Sequence, residues 1–177
     1  MRKAIFLDRD GTIIEEVNYL SDLSQIKIFP FAYDAIKIFN NLNFLVFIVT
    51  NQSGIARGFF SEDFVKDTND FLVKSFNSKG AKISECYFCP HHPDDKCSCR
   101  KPEIGMVLEA KRKFNIDFSQ SYIIGDSSKD VFTGINAGIF PIQVLTGHGW
   151  NDISDNSIIL PNLYYAALFI QNIKTRK

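Results

Sequence analysis

The chain has 177 residues, 45% of them hydrophobic, which is enough for one sizeable core and too few for two comfortable domains. Its 20 lysines and arginines balance its 20 aspartates and glutamates, so no net charge draws it to nucleic acid or to an acidic membrane. No apolar stretch approaches the roughly 20 residues of a membrane span, and the apolar run that follows Met1-Arg2-Lys3 is too short for a signal-peptide core. We therefore expect a single domain over residues 1–177, a cytoplasmic monomer, and a small molecule as its partner rather than nucleic acid or a membrane.

The first half of the chain alternates apolar runs with segments of helical periodicity. Residues 3–7 form a short apolar run that ends abruptly in Asp8-Arg9-Asp10-Gly11-Thr12, which indicates a buried strand with charged residues at its carboxyl end. Ser61 can cap a helix that carries acidic residues in its first turn. The elements predicted here are strands at 3–7, 44–49 and 83–88 and helices at 32–42 and 61–78.

The same alternation continues to the end of the chain, with helices predicted at 104–114, 129–137 and 162–173 and strands at 122–124 and 141–145. Strands that alternate with helices predict an α/β fold, in which a doubly wound, Rossmann-like parallel sheet is covered on both faces to give three layers. In such a sheet a functional site forms at the carboxyl ends of the strands.

Two carboxylates follow the first predicted strand. Asp8 and Asp10 are two residues apart, so their side chains project to the same side wherever the strand geometry persists. Like charges about 4 Å apart cost on the order of 4 kcal/mol at an effective dielectric of about 20, and a divalent cation such as magnesium would offset that cost. Taken alone, however, Asp-x-Asp-Gly is more typical of a solvated turn.

A short loop in the middle of the chain concentrates metal-binding side chains. Cys89, Cys97 and Cys99 lie there with His91 and His92. Three thiolates and one imidazole are the ligand set of a closed, structural zinc site. The alternatives are reduced thiols without metal, or a disulfide, and the spacing does not choose between the two histidines.

Four short motifs occur in order, each after a predicted strand or at the start of a predicted helix. They are Asp8-Arg9-Asp10-Gly11-Thr12, Thr50-Asn51-Gln52-Ser53-Gly54, Arg100-Lys101-Pro102, and Gly125-Asp126 with Asp130. In this order and context they resemble the motifs of phosphatases of the haloacid dehalogenase superfamily. A chance match of all four motifs is much rarer than a match of any one.

The resemblance implies a phosphomonoester hydrolase with a covalent intermediate. Asp8 would attack phosphorus and form an aspartyl-phosphate. Asp10 would protonate the leaving oxygen and then deprotonate the attacking water. Thr50 and Lys101 would bind the phosphoryl group as its charge moves.

The same resemblance implies a catalytic magnesium ion. Its ligands would be Asp8, the backbone carbonyl of Asp10, and Asp126, which together neutralise charge that the phosphate brings. Asp130 would support these ligands from behind by orienting Asp126 or Lys101.

The cysteine loop resembles that of a smaller group of enzymes within this superfamily. Cys-Pro-His-His followed by Cys-x-Cys-Arg-Lys-Pro, over residues 89–102, is similar to the zinc loop of the D-glycero-D-manno-heptose bisphosphate phosphatases and the related histidinol-phosphate phosphatases, although the spacing after His92 is shorter here. That likeness implies a structural zinc ion in the loop 89–99, with the first histidine as a ligand: Cys89, His91, Cys97 and Cys99. Because Arg100 and Lys101 directly follow the last ligand, a rigid zinc loop would hold both cations over the site.

The sequence leaves no room for a large cap domain, since only residues 12–30 separate the first motif from its helix and predicted elements fill the stretch after the second. Specificity should therefore come from short loops. The candidate substrate-binding residues are Glu16, Asn18, Tyr19, Asn51, Gln52, Ser53, Arg57 and Arg100. The polar groups could hydrogen-bond sugar hydroxyls and the arginines could hold a second phosphate, although ordinary surface positions are an equal alternative for Tyr19 and Arg57.

The substrate is predicted from resemblance alone. Residues 53–58, Ser-Gly-Ile-Ala-Arg-Gly, resemble the heptose bisphosphate enzymes and favour removal of the 7-phosphate of D-glycero-D-manno-heptose 1,7-bisphosphate, with histidinol phosphate as the nearest rival. A 3'-phosphatase acting on nucleic-acid ends is disfavoured by the balanced charge. An inactive, zinc-stabilised binding module is disfavoured by intact Asp8, Asp10, Lys101 and Asp126. The sequence assigns no role to His148.

Overall fold

A computed structural model describes residues 1–175 of the protein. Six strands are found over these residues: β1 (Ala4–Leu7), β2 (Leu45–Asn51), β3 (Glu85–Cys89), β4 (Tyr122–Gly125), β5 (Phe140–Val144) and β6 (Ile158–Leu160). They form one sheet in the order β3-β2-β1-β4-β5-β6, and every neighbouring pair is parallel. The carboxyl ends of β1, β2 and β4 therefore lie side by side at the middle of one sheet edge.

The described residues form five α-helices, of which the first four connect successive strands from β1 to β5 and the fifth follows β6: α1 (Pro30–Asn41), α2 (Glu62–Ser78), α3 (Gly105–Phe114), α4 (Ser128–Ala137) and α5 (Leu163–Thr175). Local chemistry sets their ends. The Ser61 hydroxyl accepts a hydrogen bond from the Phe64 N–H at the start of α2, as an N-cap does. Gly138 ends α4 with φ +71°, a left-handed conformation that glycine adopts without a steric penalty.

The sheet lies between two apolar clusters. Residues of β1 alternate between them, because successive side chains of a strand point to opposite faces: Ile5 and Leu7 join the cluster that α1 and α5 cover, while Ala4 and Phe6 join the cluster that α3 covers. All four side chains are fully buried. The first charged residue after the strand, Asp8, therefore stands where the chain leaves the core.

The predicted fold class, a three-layer α/β fold with a doubly wound parallel sheet, is confirmed. Each predicted helix and strand has a counterpart, with ends that differ by at most two residues, and β6 was not predicted. Between β1 and α1 the chain forms only loops and a short 3-10 helix (Leu23–Gln25), so the prediction of no large cap is confirmed for the described residues. Within residues 1–175, none of the helices is both long and apolar enough to cross a membrane.

Candidate active site

A cavity of about 320 Å³ opens at the carboxyl edge of the sheet. The ends of β1, β2 and β4 contribute Asp8, Thr50 and Asp126 to its wall, as expected for strands that run in the same direction. The loop after β3 contributes Lys101, and the loop after β5 contributes His148. Residues from all four sequence motifs thus meet at one place.

Asp8 forms an ion pair with Lys101 at the base of this cavity. Its Oδ1 lies 2.8 Å from the Lys101 Nζ and accepts a hydrogen bond of 2.7 Å from the Arg9 N–H. Burial raises the pKa of Asp8 well above its usual range, and Asp130 and Asp126 raise it further, while Lys101 opposes the shift. A cation beside Asp8 would favour the ionised, nucleophilic form of the carboxyl group.

Asp130 holds Lys101 from the other side. Its Oδ1 lies 2.6 Å from the Lys101 Nζ, and its Oδ2 accepts hydrogen bonds from the Ser127 N–H and hydroxyl at 3.2 and 2.8 Å. Burial opposes the charge of Lys101, yet Asp130 and Asp8 together keep its pKa above the usual value. Lys101 therefore remains a cation although it is only 4% exposed.

Asp126 completes a cluster of carboxylates. One oxygen each from Asp8, Asp126 and Asp130 lies within 4.8 Å of the others. Burial raises the pKa of Asp126 to about 7 and Asp130 adds to the shift, although the His148 N–H, 2.7 Å from Oδ2, opposes it. Buried carboxylates so close together fit a hard divalent cation. Because Asp130 is already engaged by Lys101 and Ser127, Asp8 and Asp126 are the better ligands.

Two glycines make room for Asp126. A Cβ atom at Gly11 would lie 2.3 Å from the Asp126 Oδ2, and one at Gly147 would lie 2.2 Å from the same oxygen. Both residues also have positive φ angles, +75° and +54°, which favour glycine. The loops after β1 and β5 can therefore close around the carboxylate only because neither carries a side chain there.

Asp10 is held by three neighbours. Both of its carboxylate oxygens lie 3.1–3.2 Å from the Arg9 Nε, and Gln52 Nε2 donates a hydrogen bond of 2.9 Å to Oδ2. The Thr50 hydroxyl lies 3.4 Å from the same oxygen. The Asp10 side chain is 19% exposed and lines the cavity, so the carboxylate is both fixed and accessible to a ligand.

The cysteine loop brings together the four side chains that the sequence singled out. The His91 Nδ1 lies 3.5 Å from the Cys89 Sγ and 3.2 Å from the Cys99 Sγ, and the three sulfur atoms are 3.1–3.6 Å apart. Tetrahedral zinc with Zn–S bonds of about 2.3 Å needs sulfur atoms about 3.8 Å apart, so the cluster could hold zinc after a slight expansion. All four cysteines of the chain are free thiols.

The structure also distinguishes the two histidines. His92 lies outside the cluster and caps the 3-10 helix Pro93–Asp95, where its Nδ1 is 3.4 Å from the Asp94 N–H. His91 is the histidine of the metal-binding group. The geometry therefore agrees with the ligand set that the resemblance implied.

Most predicted substrate-binding residues line the cavity, namely Glu16, Asn18, Tyr19, Asn51, Gln52, Ser53 and Arg100, whereas Arg57 does not. The Asn51 amide is already engaged, since it bonds the backbone of Lys101. Arg9, Lys129 and His148 line the cavity without having been predicted. In the sequence, Arg9 stands between the two aspartates of the first motif and Lys129 stands directly before Asp130, whereas His148 belongs to none of the four motifs. The roles of all these residues remain predictions.

A family model described as HAD-hydrolase-like matches residues 98–164. The chain combines this match with a doubly wound sheet and with an aspartate, Asp8, that pairs with a lysine at the carboxyl edge of the sheet. Together these features define a hydrolase of the haloacid dehalogenase class. The crystal structure of D,D-heptose 1,7-bisphosphate phosphatase from B. bronchiseptica, complexed with magnesium and phosphate, superposes with a TM-score of 0.90 at 28% identity, covering 97% of this chain and 99% of that one.

Sequence comparison identifies the family within this class. The D-glycero-alpha-D-manno-heptose-1,7-bisphosphate 7-phosphatase of Photorhabdus laumondii is 36% identical over 177 residues, with 96% of this chain and 97% of the relative covered. The D-glycero-beta-D-manno-heptose-1,7-bisphosphate 7-phosphatase of Pasteurella multocida is 39% identical over 145 residues, with 78% of this chain and 79% of the relative covered. The chain therefore belongs to the family of the D-glycero-D-manno-heptose-1,7-bisphosphate 7-phosphatases, and the family predicted from the motifs is confirmed.

Proposed function

We propose that this protein is a magnesium-dependent phosphatase that removes the 7-phosphate of D-glycero-D-manno-heptose 1,7-bisphosphate in the cytoplasm. The observation that carries the proposal is the Asp8 carboxylate, which lies 2.8 Å from the Lys101 Nζ at the base of an open, polar cavity. A relative with this substrate in its name covers 96% of the chain, which supports the choice of substrate.

Asp8 is the nucleophile of the proposed reaction. An oxygen of its carboxylate attacks phosphorus, and the bond between phosphorus and the sugar oxygen breaks, which leaves an aspartyl-phosphate. Lys101 lies beside Asp8 and would stabilise the negative charge of the phosphoryl oxygens during transfer. Asp130 keeps the lysine charged and in place through its 2.6 Å contact.

Asp10 moves the protons. It gives a proton to the departing sugar oxygen in the first step and takes one from the attacking water in the second. Its position in the cavity wall, held by Gln52 and Arg9, suits both transfers. Thr50, which is 1% exposed at the end of β2, would bind a phosphoryl oxygen through its hydroxyl or its N–H.

Asp8 and Asp126, with the backbone carbonyl of Asp10, would hold the magnesium ion. When bound, the ion supplies positive charge that neutralises the phosphate and the carboxylates around it. The tight packing of Gly11 and Gly147 against Asp126 fixes this ligand before any metal arrives. Zinc in the loop 89–99 would be structural, because four protein ligands leave no position open for chemistry.

The cavity offers groups for the rest of a sugar bisphosphate. Glu16 and Asn18 lie on the loop after β1, while Arg100 and Lys129 supply positive charge. Lys129 has no ion-pair partner within 4.0 Å among the described residues, so its ammonium group is available to a second phosphate. Relatives named for the alpha and the beta anomer both match the chain, so the names do not select one anomer.

The test is phosphate release from heptose 1,7-bisphosphate and from histidinol phosphate, with and without magnesium. We expect magnesium-dependent release that favours the heptose ester and is lost in Asp8→Asn. Asp155→Asn, a change at an exposed aspartate outside the cavity, is the matched control and should keep full activity. Faster release from histidinol phosphate would overturn the substrate, and an active Asp8→Asn variant would overturn the mechanism.

A further inference from the structure

Arg9 is a charged residue with an unusual position. It lies between the two catalytic aspartates in the sequence, yet it is only 2% exposed and ranks among the largest fully buried side chains. A buried guanidinium is unfavourable unless hydrogen bonds and opposite charge compensate it. The partners of Arg9 therefore indicate what it does.

The first partner is Asp10. The Arg9 Nε lies 3.2 Å from the Oδ1 and 3.1 Å from the Oδ2 of Asp10, and the Nη2 lies 3.2 Å and 3.1 Å from the same two oxygens. The guanidinium thus faces the carboxylate with two nitrogens. Such paired contacts fix the orientation of a carboxylate better than a single contact can.

The second partner is Asn69, which lies in α2 and is 5% exposed. Its Oδ1 accepts a hydrogen bond of 3.4 Å from the Arg9 Nη1. A helix outside the catalytic loops is in this way connected to Asp10 through one buried side chain. Gln52 donates a separate hydrogen bond to the Asp10 Oδ2, so two different side chains, Arg9 and Gln52, bind the carboxylate.

We propose that Arg9 and Asn69 are positioning residues for proton transfer by Asp10. Asn69 fixes the guanidinium of Arg9, and Arg9 fixes the carboxylate of Asp10 so that it presents an oxygen to the leaving group. Proton transfer requires such placement within hydrogen-bond reach of the reacting atom. This inference rests on the proposed function, in which Asp10 is the acid and then the base.

The inference can be tested through the leaving group of the first step. As phosphorus bonds to Asp8, the bond to the leaving oxygen breaks, and a sugar oxygen takes the proton of Asp10. Nitrophenolate is a stable anion and leaves from p-nitrophenyl phosphate without that proton. Loss of proton transfer should therefore slow the sugar ester much more than the nitrophenyl ester.

The second step needs Asp10 for both esters, because water then gives up a proton. The measurement must isolate the first turnover, as a rapid-quench rate for the sugar phosphate and as the nitrophenolate burst for the aryl ester. The ratio of these two rates is the readout. A general loss of folding or of metal binding would lower both rates and leave the ratio unchanged.

The variants are Asn69→Leu, which removes the contact to Arg9, and Arg9→Lys, which keeps the charge but not the paired contact. We expect each to lower the first-turnover rate on the heptose ester about 10-fold and the nitrophenolate burst less than about twofold. Thr68→Val is the matched control in α2, since the Thr68 hydroxyl is buried and has no hydrogen-bond partner among residues 1–175. It should leave the ratio at the wild-type value.

Equal losses on both esters in Asn69→Leu and Arg9→Lys, or no loss in either, would overturn the inference. Asp10→Asn separates this failure from that of the proposed function. If Asp10→Asn selectively slows the sugar ester while both positioning variants do not, only the inference fails. If Asp10→Asn shows no selectivity, the acid role of Asp10 fails and the inference fails with it.

Discussion

The side-chain amide of Asn51 is bound to the backbone of Lys101 through both of its polar atoms. Its Oδ1 accepts a hydrogen bond of 3.0 Å from the Lys101 N–H, and its Nδ2 donates one of 3.1 Å to the Lys101 carbonyl. The end of β2 is thereby joined to the loop that carries the lysine. Asn51 thus sets where the ammonium group meets Asp8.

This contact predicts a kinetic effect of Asn51→Leu. The change removes both hydrogen bonds and frees the backbone of Lys101, so we expect kcat to fall about 10- to 100-fold, because small displacements of a charged group are costly in phosphoryl transfer. Steady-state kinetics would measure it. Asn156→Ala, at an exposed site outside the cavity, serves as the control. An unchanged kcat in Asn51→Leu would show that Lys101 is positioned by other contacts.

A second prediction concerns magnesium and pH. Burial raises the pKa of Asp126 from its ordinary value of 3.8 to about 7. Protons therefore compete with the metal for this carboxylate below about pH 7. We expect magnesium to raise the melting temperature more at about pH 8 than at about pH 6, because binding to the folded state stabilises it. Asp126→Asn should abolish most of the rise at both pH values. A rise that is independent of pH in the wild type would contradict the argument.

The raised pKa of Glu16 predicts that the free energy of unfolding changes with pH. Burial raises its pKa from 4.5 to about 7, and the nearby Asp10 adds to the shift, while His148 opposes it. A raised pKa means that the unfolded chain ionises first as pH rises. The folded state therefore loses stability between about pH 4.5 and 7, the usual and the shifted values of the group.

Glu16→Gln should remove that loss. Because the side chain is still 30% exposed, solvent screening reduces the effect, and we expect the variant to be about 1 kcal/mol more stable than the wild type at about pH 8, with a smaller difference at about pH 5. Urea unfolding without added magnesium measures both values. Glu15→Gln, which alters a more exposed neighbour paired with Lys27, should show no such trend. Equal differences at the two pH values would disprove the shift.

The cysteine loop predicts one zinc ion per chain. Cys97→Ser removes one ligand, and loss of a few kcal/mol of metal-coupled folding energy should lower the melting temperature by about 10 °C, since each kcal/mol corresponds to about 2–4 °C at this size. Cys86→Ala is the control, because Cys86 lies in β3 outside the metal-binding group. Elemental analysis would measure the zinc content of each variant, and thermal unfolding would measure its melting temperature. Full zinc content in Cys97→Ser would refute the ligand set.

The elements that the sequence predicted well are those with strong local signals. The apolar run before Asp8 identified β1, and Ser61 marked the start of α2 within one residue. The strand β6 has only three residues and no periodicity of its own, so only its pairing with β5 defines it. Its short length explains why it was missed.

The candidate site was predicted where residue type and motif agree, as for Asp8, Lys101 and the loop 89–99. Arg9 and Asn69 were missed because their importance comes from burial and from a contact across 60 positions of sequence. The engagement of Asn51 with Lys101 could not be foreseen either, since an asparagine after a strand is equally suited to a ligand. Such relations depend on tertiary packing, which no local pattern encodes.

The meeting of Gly11 and Gly147 around Asp126 limits how this sequence can diverge. A Cβ at Gly147 would lie 2.6 Å from the Gly11 Cα, and a Cβ at Gly11 would lie 3.0 Å from the Gly147 Cα. A new side chain at either position could not be offset by a smaller residue at the other, because the other is already glycine. These two positions, 136 apart along the chain (147 minus 11), therefore share one steric constraint, and a substitution at either requires the two loops to move apart.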